Sequence, residues 1–291
     1  MDVLSVAIAM MRTGRPYSNR LQLTQHWCYR FGPYDGAGVH ILLHGTAWVI
    51  PEHGKAIRLN AGDVVLVPHG SPHHLSDTPD VTGAVPVEAA VGGDGPADFL
   101  CGKYRLDRSR VHPLLAGLPD IVHLPGRVGT HPTLHGAIDL LASEINANRQ
   151  GQSAALTALL DLLLVYTVRG WLDGNAMTGW PRALHDPQIA AALEALHDEP
   201  AAPWRVQSLA ERVNLSRATL SRRFTALTGQ SPIAYLTWWR MVVAAQLLRE
   251  TDRALPGIAA EVGYGSPYAF SHAFKRQFGL TPGRYRTVDL V

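Results

Sequence analysis

Three side chains in the N-terminal part of the chain, His40, His73 and Cys101, could bind a metal or respond to an oxidant. Alternate residues of a strand share a face, so His40 would point to the same side as Leu42 and His44. If that side is an interior, His40 could approach His73 and Cys101, and two imidazoles with one thiolate could hold zinc with an open position. The thiol could also be an oxidant-sensitive switch. The alternative is purely structural, with hydrogen-bonded histidines and a small buried cysteine.

A second set of side chains, in the C-terminal third, has the chemistry of DNA recognition. Two predicted helices begin at Ser216 and Ser266, and each keeps a polar face opposite its apolar one. Serine, arginine and histidine can meet base edges, while alanine and the threonine methyl can lie against thymine methyls. The candidate DNA contacts are Arg217, Ala218, Ser221, Arg222 and Thr225 in the first helix and Tyr268, Ser271, His272, Lys275 and Arg276 in the second.

Several arginines beside these faces are expected to bind phosphate, which fixes register without reading sequence. They are Arg217, Arg223, Arg276 and Arg284. Residues 204–291 carry twelve Lys/Arg and five Asp/Glu, whereas the preceding residues carry fourteen and nineteen. A basic region joined to an acidic one indicates that only the former touches nucleic acid. The alternative is a solvated face of a helical bundle.

The two predicted helices belong to a unit that occurs twice. Four apolar residues at helical spacing within 206–213 recur within 255–262. After each stripe come a tight turn, a helix opened by serine, a glycine that ends it, and a proline that starts the next helix. Helix, short turn and second helix form the helix-turn-helix geometry, whose second helix enters a major groove. The two motifs span about residues 206–227 and 255–278.

The region from residue 20 to 125 has the texture of β structure, with short apolar runs between Gly, Pro, Asp and His. Such strands usually close into a sandwich or barrel. Between Gly62 and His73, a Gly-Asp turn launches a strand, a proline ends it and a glycine reverses the chain, which returns His73 to the barrel mouth. His69 and His74 are candidates for the ligand rim there. The predicted strands are 21–31, 39–43, 47–50, 64–67 and 100–106.

Between residues 133 and 172 the apolar period becomes helical and predicts two helices joined by a glycine-containing link. The second helix is apolar on more than one side, so it could pack on the barrel alone or also on a second subunit. The Gly/Pro/Asn-rich stretch that follows is expected to be a linker. The predicted fold is therefore α+β, with a sensing domain at 1–125, a helical hairpin at 126–173, a linker at 174–187 and an all-α DNA-binding domain at 188–291.

The cysteine content and the N-terminus bear on location. Cys28 and Cys101 are the only cysteines in 291 residues, which favours a reducing compartment over a disulfide scaffold. The apolar run near the N-terminus is short and follows Asp2 instead of a basic segment, so we expect neither a signal peptide nor a membrane span. We predict a cytoplasmic protein.

The tract 209–286 resembles the DNA-binding domain of AraC/XylS-type transcription regulators, most closely at 258–264, 270–275 and 278–286. The resemblance implies two helix-turn-helix units held by one long helix, residues 232–249, reading successive major-groove segments on one DNA face. His272 stands where many members have arginine. The resemblance also implies dimerisation through the hairpin and activation of transcription, with RNA polymerase as a partner.

Residues 62–73 resemble the second motif of cupins, and residues 20–125 are similar to a cupin barrel. Catalytic cupins also carry two histidines and a glutamate on an earlier strand. Counting back from Gly45, those positions hold Gly32, Tyr34 and Gly38, of which only the tyrosine could ligate a metal, and weakly. Cupin-headed AraC regulators, among them sensors of reactive chlorine, resemble this chain.

The sequence thus predicts a regulator that binds double-stranded promoter DNA and is controlled by a small molecule or oxidant. One alternative is a metal-dependent cupin dioxygenase or isomerase with an appended helical domain. Another is a nonspecific DNA-architectural protein, although two faces of different composition favour selective reading. A salt titration that compares promoter with random DNA separates these classes.

Overall fold

The computed structural model forms two compact units, a cupin unit and a helical unit. The cupin unit contains the described parts of residues 12–108 and 115–174; the helical unit contains those of 1–11, 109–114 and 175–291. This division differs from the predicted domain boundaries in two places, because residues 1–11 and 109–114 belong to the helical unit. The structure describes residues 2–24, 26–90, 95–107, 110–126, 130–145, 147, 149–175 and 177–287.

The cupin unit is built from two five-stranded sheets. The strands are β1 (Arg12–Leu23), β2 (Cys28–Phe31), β3 (Ala37–His44), β4 (Thr46–Pro51), β5 (Ile57–Asn60), β6 (Val64–Val67), β7 (His73–Ser76), β8 (Val85–Pro86), β9 (Ala97–Leu106) and β10 (Val122–Leu124). One sheet has the order β1-β9-β3-β6-β10 and the other β5-β4-β7-β2-β8. A core of buried apolar side chains, including Leu42, Leu75 and Phe99, fills the space between them.

The strand predictions are partly confirmed. β6 has the predicted bounds, and β3, β4 and β9 extend the predicted segments by a few residues. The predicted strand 21–31 is wrong, because β1 and β2 lie in different sheets and Trp27, between them, is buried in the core. β5 and β7 were not predicted, since their sequences, IRLN and HHLS, lack the apolar run that marks β6.

The turn between β6 and β7 brings His73 inward as predicted. Gly70 has φ 59°, and a Cβ there would lie 2.1 Å from the Tyr34 carbonyl oxygen, so the tight reversal requires glycine. The Asp63 carboxylate accepts hydrogen bonds from the backbone N–H groups of Asn60 and Gly126 at 3.1 and 2.7 Å. These hydrogen bonds hold the start of β6. The strand is therefore held at its start by Asp63 and followed by the tight turn at Gly70.

The hairpin prediction is confirmed as α3 (Pro132–Ile145) and α4 (Gln152–Gly174), which pack against each other. α4 also packs on β1 and β10, and the Tyr104 hydroxyl donates a 2.6 Å hydrogen bond to the Leu160 carbonyl. By length and composition α4 could cross a bilayer, a property shared with core helices of soluble proteins. Two large apolar side chains of the hairpin stay exposed, Leu140 and Leu162.

The helical unit contains α1 (Val3–Met11), α5 (Gly179–His185), α6 (Pro187–Asp198), α7 (Val206–Arg212), α8 (Arg217–Thr228), α9 (Pro232–Glu250), α10 (Leu255–Glu261), α11 (Pro267–Phe278) and α12 (Pro282–Thr287); a short helix α2 (Pro113–Ala116) spans the unit boundary. The apolar N-terminal run forms α1, which buries Val6 against Trp239 and Val242 of α9. This packing explains why residues 1–11 belong here.

The repeated motif folds as its caps predict. Ser216 and Ser266 accept hydrogen bonds from Thr219 N and Ala269 N, and so open α8 and α11. Gly229 and Gly279 close these helices in the left-handed conformation, with φ 80° and 73°. The resulting pairs α7–α8 and α10–α11 are connected by α9, in agreement with the expected long helix.

The predicted linker at 174–187 is wrong for most of its length. Residues 179–185 form α5, which buries Trp180 and Ala183 and packs on α6 and α8. Asp186 then caps α6 through hydrogen bonds from Gln188 N and Ile189 N. Gly179 and Pro187 of this stretch are the first residues of α5 and α6.

Candidate functional site

The polar faces predicted on α8 and α11 point outward. Eight of the ten candidate side chains are exposed, and Ser221 and Ser271 are partly buried at the edges of the faces. Behind them, Leu220 and Phe224 of α8 and Phe270 and Phe274 of α11 are fully buried. Each helix therefore hides its apolar side and presents an uninterrupted polar ridge.

One arginine of the first motif is placed differently from the prediction. Arg223 pairs with the Asp186 carboxylate and donates a 2.8 Å hydrogen bond to Gln188. The equivalent position of the second motif, 50 residues later, holds Ala273, which is buried. Arg223 is thus engaged in holding α8 to the start of α6, and it is not a free phosphate ligand.

In the cupin unit, the three predicted sensor side chains lie together. His40 Nδ1 is 3.1 Å from Cys101 Sγ, and His40 Nε2 is 2.9 Å from His73 Nε2. The strand register explains the first contact, because His40 of β3 and Cys101 of β9 are direct antiparallel partners. The ring of Phe31 stacks on His73 with centroids 4.8 Å apart. We call Cys101, His40 and His73 the sensor row.

The hydrogen bonds of the sensor row determine where each proton lies. His73 Nδ1 is 2.8 Å from the Ser71 carbonyl oxygen, which can only accept, so His73 Nδ1 carries the hydrogen and Nε2 accepts. His40 must then donate from Nε2, which leaves its Nδ1 to accept from the Cys101 thiol. The tautomers follow from this network, and the thiol donates into a chain that ends at the backbone.

Burial keeps all three groups of the sensor row uncharged. Desolvation lowers the pKa of His40 well below its ordinary value and lowers the pKa of His73 from 6.5 to about 4. Desolvation also raises the pKa of the Cys101 thiol to about 12. The row therefore rests as a neutral thiol between neutral imidazoles.

The sensor row does not fit a zinc site. His40 lies between its two partners and uses a different ring nitrogen for each. The three side chains therefore form a row, and their donor atoms do not converge on one position where a zinc ion could bind. Among the described residues, no group of three or more His, Cys, Asp or Glu side chains is arranged to hold a metal ion. Gly38 and Tyr34, at two of the missing cupin ligand positions, line a cavity instead.

This cavity has a volume of about 350 Å³ and reaches the sensor row at His40 and Cys101. β1 contributes Tyr17, Asn19 and Leu21 to its wall. Lys103 lies at the same wall, with Nζ 5.0 Å from the centre of the Tyr34 ring. Sequence reasoning missed the β1 residues and Lys103, although period-two alternation from Cys101 points to Lys103.

Two other histidine predictions are not supported. His69 does not line the cavity; its Nε2 is 2.8 Å from the Leu118 carbonyl oxygen. His74 is also absent from the lining, because it neighbours the inward-facing His73 on β7. Cys28 lies on β2 opposite Ser76, and both cysteines are free thiols.

The comparisons with known proteins agree with both units. A family model described as a cupin matches residues 2–173, and one described as a helix-turn-helix domain matches residues 209–287. An AraC-like transcription regulator of Streptomyces lividans is 34% identical over 298 residues, covering 98% of each chain. The RCS-specific HTH-type transcriptional activator RclR of Escherichia coli K12 is 30% identical over 250 residues, covering 85% of this chain and 83% of RclR.

Among solved structures, the DNA-binding domain of AdpA in complex with a target DNA is 35% identical, covers 35% of this chain and 90% of that one, and has a TM-score of 0.33. The full-length relatives are transcription regulators, and they give no support to the cupin-enzyme alternative. The chain belongs to the AraC-type transcription regulators, with an N-terminal cupin domain and a C-terminal DNA-binding helix-turn-helix domain.

Proposed function

We propose that the protein is a cytoplasmic, homodimeric activator of transcription whose cupin domain senses an oxidant or a small molecule. The observation that carries the proposal is the pairing of two outward polar ridges in one unit with a thiol that borders a cavity in the other. A signal can change DNA binding only if it has unequal affinity for two states of the protein.

In this proposal the α8 and α11 ridges read two successive major-groove segments. We assign contacts with base edges to Arg222 and His272, which are exposed, and to Ser221 and Ser271 at the edges of the ridges. Ala218 and the Thr225 methyl are suited to thymine methyls. Arg217, Lys275 and Arg276 bind phosphate, and Tyr268, 83% exposed at the start of α11, packs against the DNA backbone.

The oxidant proposal rests on Cys101, whose sulfur borders the cavity and whose proton has an acceptor in His40 Nδ1. With hypochlorous acid, sulfur loses two electrons and gains the hydroxyl group, chlorine leaves as chloride, and the thiol proton is released with the chloride. The product is a sulfenic acid. Because the pKa of the thiol is about 12, oxidants that require a thiolate are poor signals, which favours strong electrophiles. The similarity to RclR is consistent with this chemistry.

Treating the full-length protein with equimolar hypochlorous acid tests this idea through its DNA affinity. We expect the affinity to change in the wild type and in Cys28→Ser, and to stay constant in Cys101→Ser. If the DNA affinity of Cys101→Ser changes as much as that of the wild type, the sensor row is not the oxidant sensor.

The size and lining of the cavity support a small-molecule effector as the second candidate. Its volume of about 350 Å³ suits a small ligand, and its largely apolar wall carries a few polar groups besides the sensor row, among them Asn19, Tyr34, Glu88 and Lys103. A Cβ at position 38 would lie 1.9 Å from the Tyr34 hydroxyl oxygen, so a Gly38→Leu variant displaces the Tyr34 side chain and occupies this part of the cavity. It should lose an effector response that depends on ligand binding.

We further propose that the sensor row works without zinc, since its three donors do not converge. Elemental analysis of protein purified without chelator is expected to find less than one zinc per chain, and Cys101→Ser should not change that content. One zinc per chain that is lost in Cys101→Ser contradicts the proposal.

Dimerisation is proposed through the hairpin, where Leu140 and Leu162 are 61% and 43% exposed. Leu162→Glu should convert the dimer to a monomer in analytical ultracentrifugation. Val81→Glu, at an apolar residue 41% exposed elsewhere in the cupin unit, is the matched control.

Activation is proposed to act through RNA polymerase. Transcription in vitro from a promoter that carries the selected binding site should rise when the protein is added with its signal. A fall in transcript under the same conditions identifies a repressor and contradicts the proposal.

A further inference from the structure

A second buried polar cluster lies in the core of the helical unit, outside the sites described above. It consists of His112, His197 and Tyr235, which are 1%, 7% and 0% exposed. His112 Nε2 and His197 Nε2 lie 2.8 and 2.5 Å from the same Tyr235 hydroxyl. Aromatic rings surround the cluster, with Trp180 at 5.0 Å from His112 and Trp239 at 4.3 Å from His197 between ring centres.

The hydrogen bonds of this cluster run in one direction. The Leu114 N–H donates to His112 Nδ1 at 3.1 Å, so His112 carries its hydrogen on Nε2 and donates to Tyr235. The Tyr235 hydroxyl then donates to His197 Nε2. His197 Nδ1, which must carry the remaining hydrogen, is buried without a hydrogen-bond partner among the described residues. His112, from the middle of the chain, thereby fixes a hydroxyl on α9.

Stability alone does not explain such a cluster. Replacing both partners of a buried hydrogen bond by apolar groups of the same shape is often neutral, whereas a buried donor without a partner costs free energy. The surrounding rings would pack as well around apolar side chains. What the hydrogen bonds add is a defined position for Tyr235.

Tyr235 in turn contacts the first recognition helix. Its ring meets Phe224 of α8 edge-on, with centroids 5.8 Å apart. Phe224 is the fully buried anchor of α8, and Arg222 and Thr225 flank it on the exposed side. A shift of Tyr235 would therefore move the ridge that we assign to DNA reading. The buried aromatic side chains of α11 instead contact one another, Tyr264 and Tyr285.

The sensor row and this cluster are close in sequence. β9 carries Cys101 and Lys103 at the cavity and ends at Leu106, and His112 follows six residues later. We propose that His112 is a positioning residue: through Tyr235 it sets the pose of α8, and through its chain connection to β9 it passes the state of the cupin cavity to the first recognition helix. The second half of this proposal rests on the proposed sensing function.

The test uses the full-length protein and DNA that the wild type selects from a random pool. Arg222→Ala identifies the block of bases that α8 reads. His112→Leu, which removes the donor, should reduce discrimination against base changes in that block by about tenfold and leave the α11 block unchanged. His112→Gln, whose side-chain amide can replace the Nε2 donor, should retain it. Tyr235→Phe removes only the hydroxyl and should reproduce His112→Leu, and it serves as the test if the leucine variant does not fold.

A loss spread equally over both blocks, or no loss in a folded variant, overturns the positioning role. For coupling, hypochlorous acid should oxidise Cys101 in His112→Leu, as thiol labelling reports, without the change in DNA affinity seen in the wild type. A retained affinity change overturns the coupling. A wild type that does not respond refutes the sensing proposal instead, and the block-specific loss still decides the positioning role.

Discussion

The candidate functional side chains are buried in the cupin unit and exposed in the helical unit. In the cupin unit, Cys101, His40 and His73 are buried and neutral, and two of them, His40 and Cys101, line a cavity. In the helical unit, eight of the ten side chains assigned to DNA are exposed, and the set is mostly cationic or hydroxyl-bearing. The difference fits the roles proposed for the two units: outward cations suit the binding of DNA, a charged polymer, whereas buried neutral groups beside a cavity suit the sensing of a small signal.

We expect the largest effect from the buried histidines, which should lower the free energy of unfolding in mild acid. Desolvation lowers the pKa of His73 and of His197 from 6.5 to about 4. Between these values the unfolded chain binds protons that the folded chain does not, so stability is complete above pH 6.5 and falls as the pH drops towards 4. Each histidine contributes up to about 3 kcal/mol to this loss.

Chemical denaturation across this pH range measures the effect. His73→Gln and His197→Gln should each flatten the dependence, whereas His53→Gln, at an exposed histidine, should leave it as in the wild type. A slope that the two buried-site variants do not change means that these histidines are not held neutral by the fold.

Removing an exposed base-reading cation should have the next largest effect. Arg222→Ala is expected to weaken binding to the selected DNA by about 1–3 kcal/mol and to relax preference within one block of bases. Arg30→Ala, an exposed arginine on β2, makes the same change in net charge in the cupin unit and should change neither. Equal losses on selected and random DNA reduce Arg222 to a phosphate contact.

Arg223 sharpens the comparison within α8, because it is a cation that the fold uses internally. Arg223→Ala removes the ion pair with Asp186 and should lower the free energy of unfolding by about 1 kcal/mol or less, since the pair is partly exposed. Base preference should remain that of the wild type. Urea titration together with binding to base-substituted DNA distinguishes this outcome from a direct DNA contact.

The smallest effect is expected at the edge of the second ridge. Arg276→Ala should weaken binding uniformly across DNA sequences and reduce the slope of log affinity against log salt by about 1. Affinity measured at several salt concentrations gives this slope. A change in sequence preference would instead place Arg276 at a base edge.

Local rules predicted much of the molecule, and long-range packing accounts for the rest. The caps Ser216 and Gly229, and their counterparts 50 residues later, act within one helical turn, so both motifs could be located from the sequence. The sensor row could be proposed because β3 and β9 are recognisable strands. The prediction of a linker was wrong because glycine and proline also start helices, as Pro187 does for α6.

The cluster of His112, His197 and Tyr235 had no signal in the sequence. Its members are separated by 85 and 38 residues and belong to no motif. The assignment of residues 1–11 to the helical unit was missed for a similar reason: the apolar run 3–11 indicates burial, but only the fold shows that Trp239 and Val242 cover it. Contacts of this kind depend on how the elements pack, which periodicity does not report.

The most direct test of the central claim, that α8 and α11 read two neighbouring stretches of DNA, is selection of binding sites from a random pool by the full-length protein. We predict two preferred blocks whose centres lie about one helical turn, 10–10.5 base pairs, apart. Arg222→Ala should relax one block and His272→Ala the other. A single block, or a pool that remains random after selection, would contradict the claim.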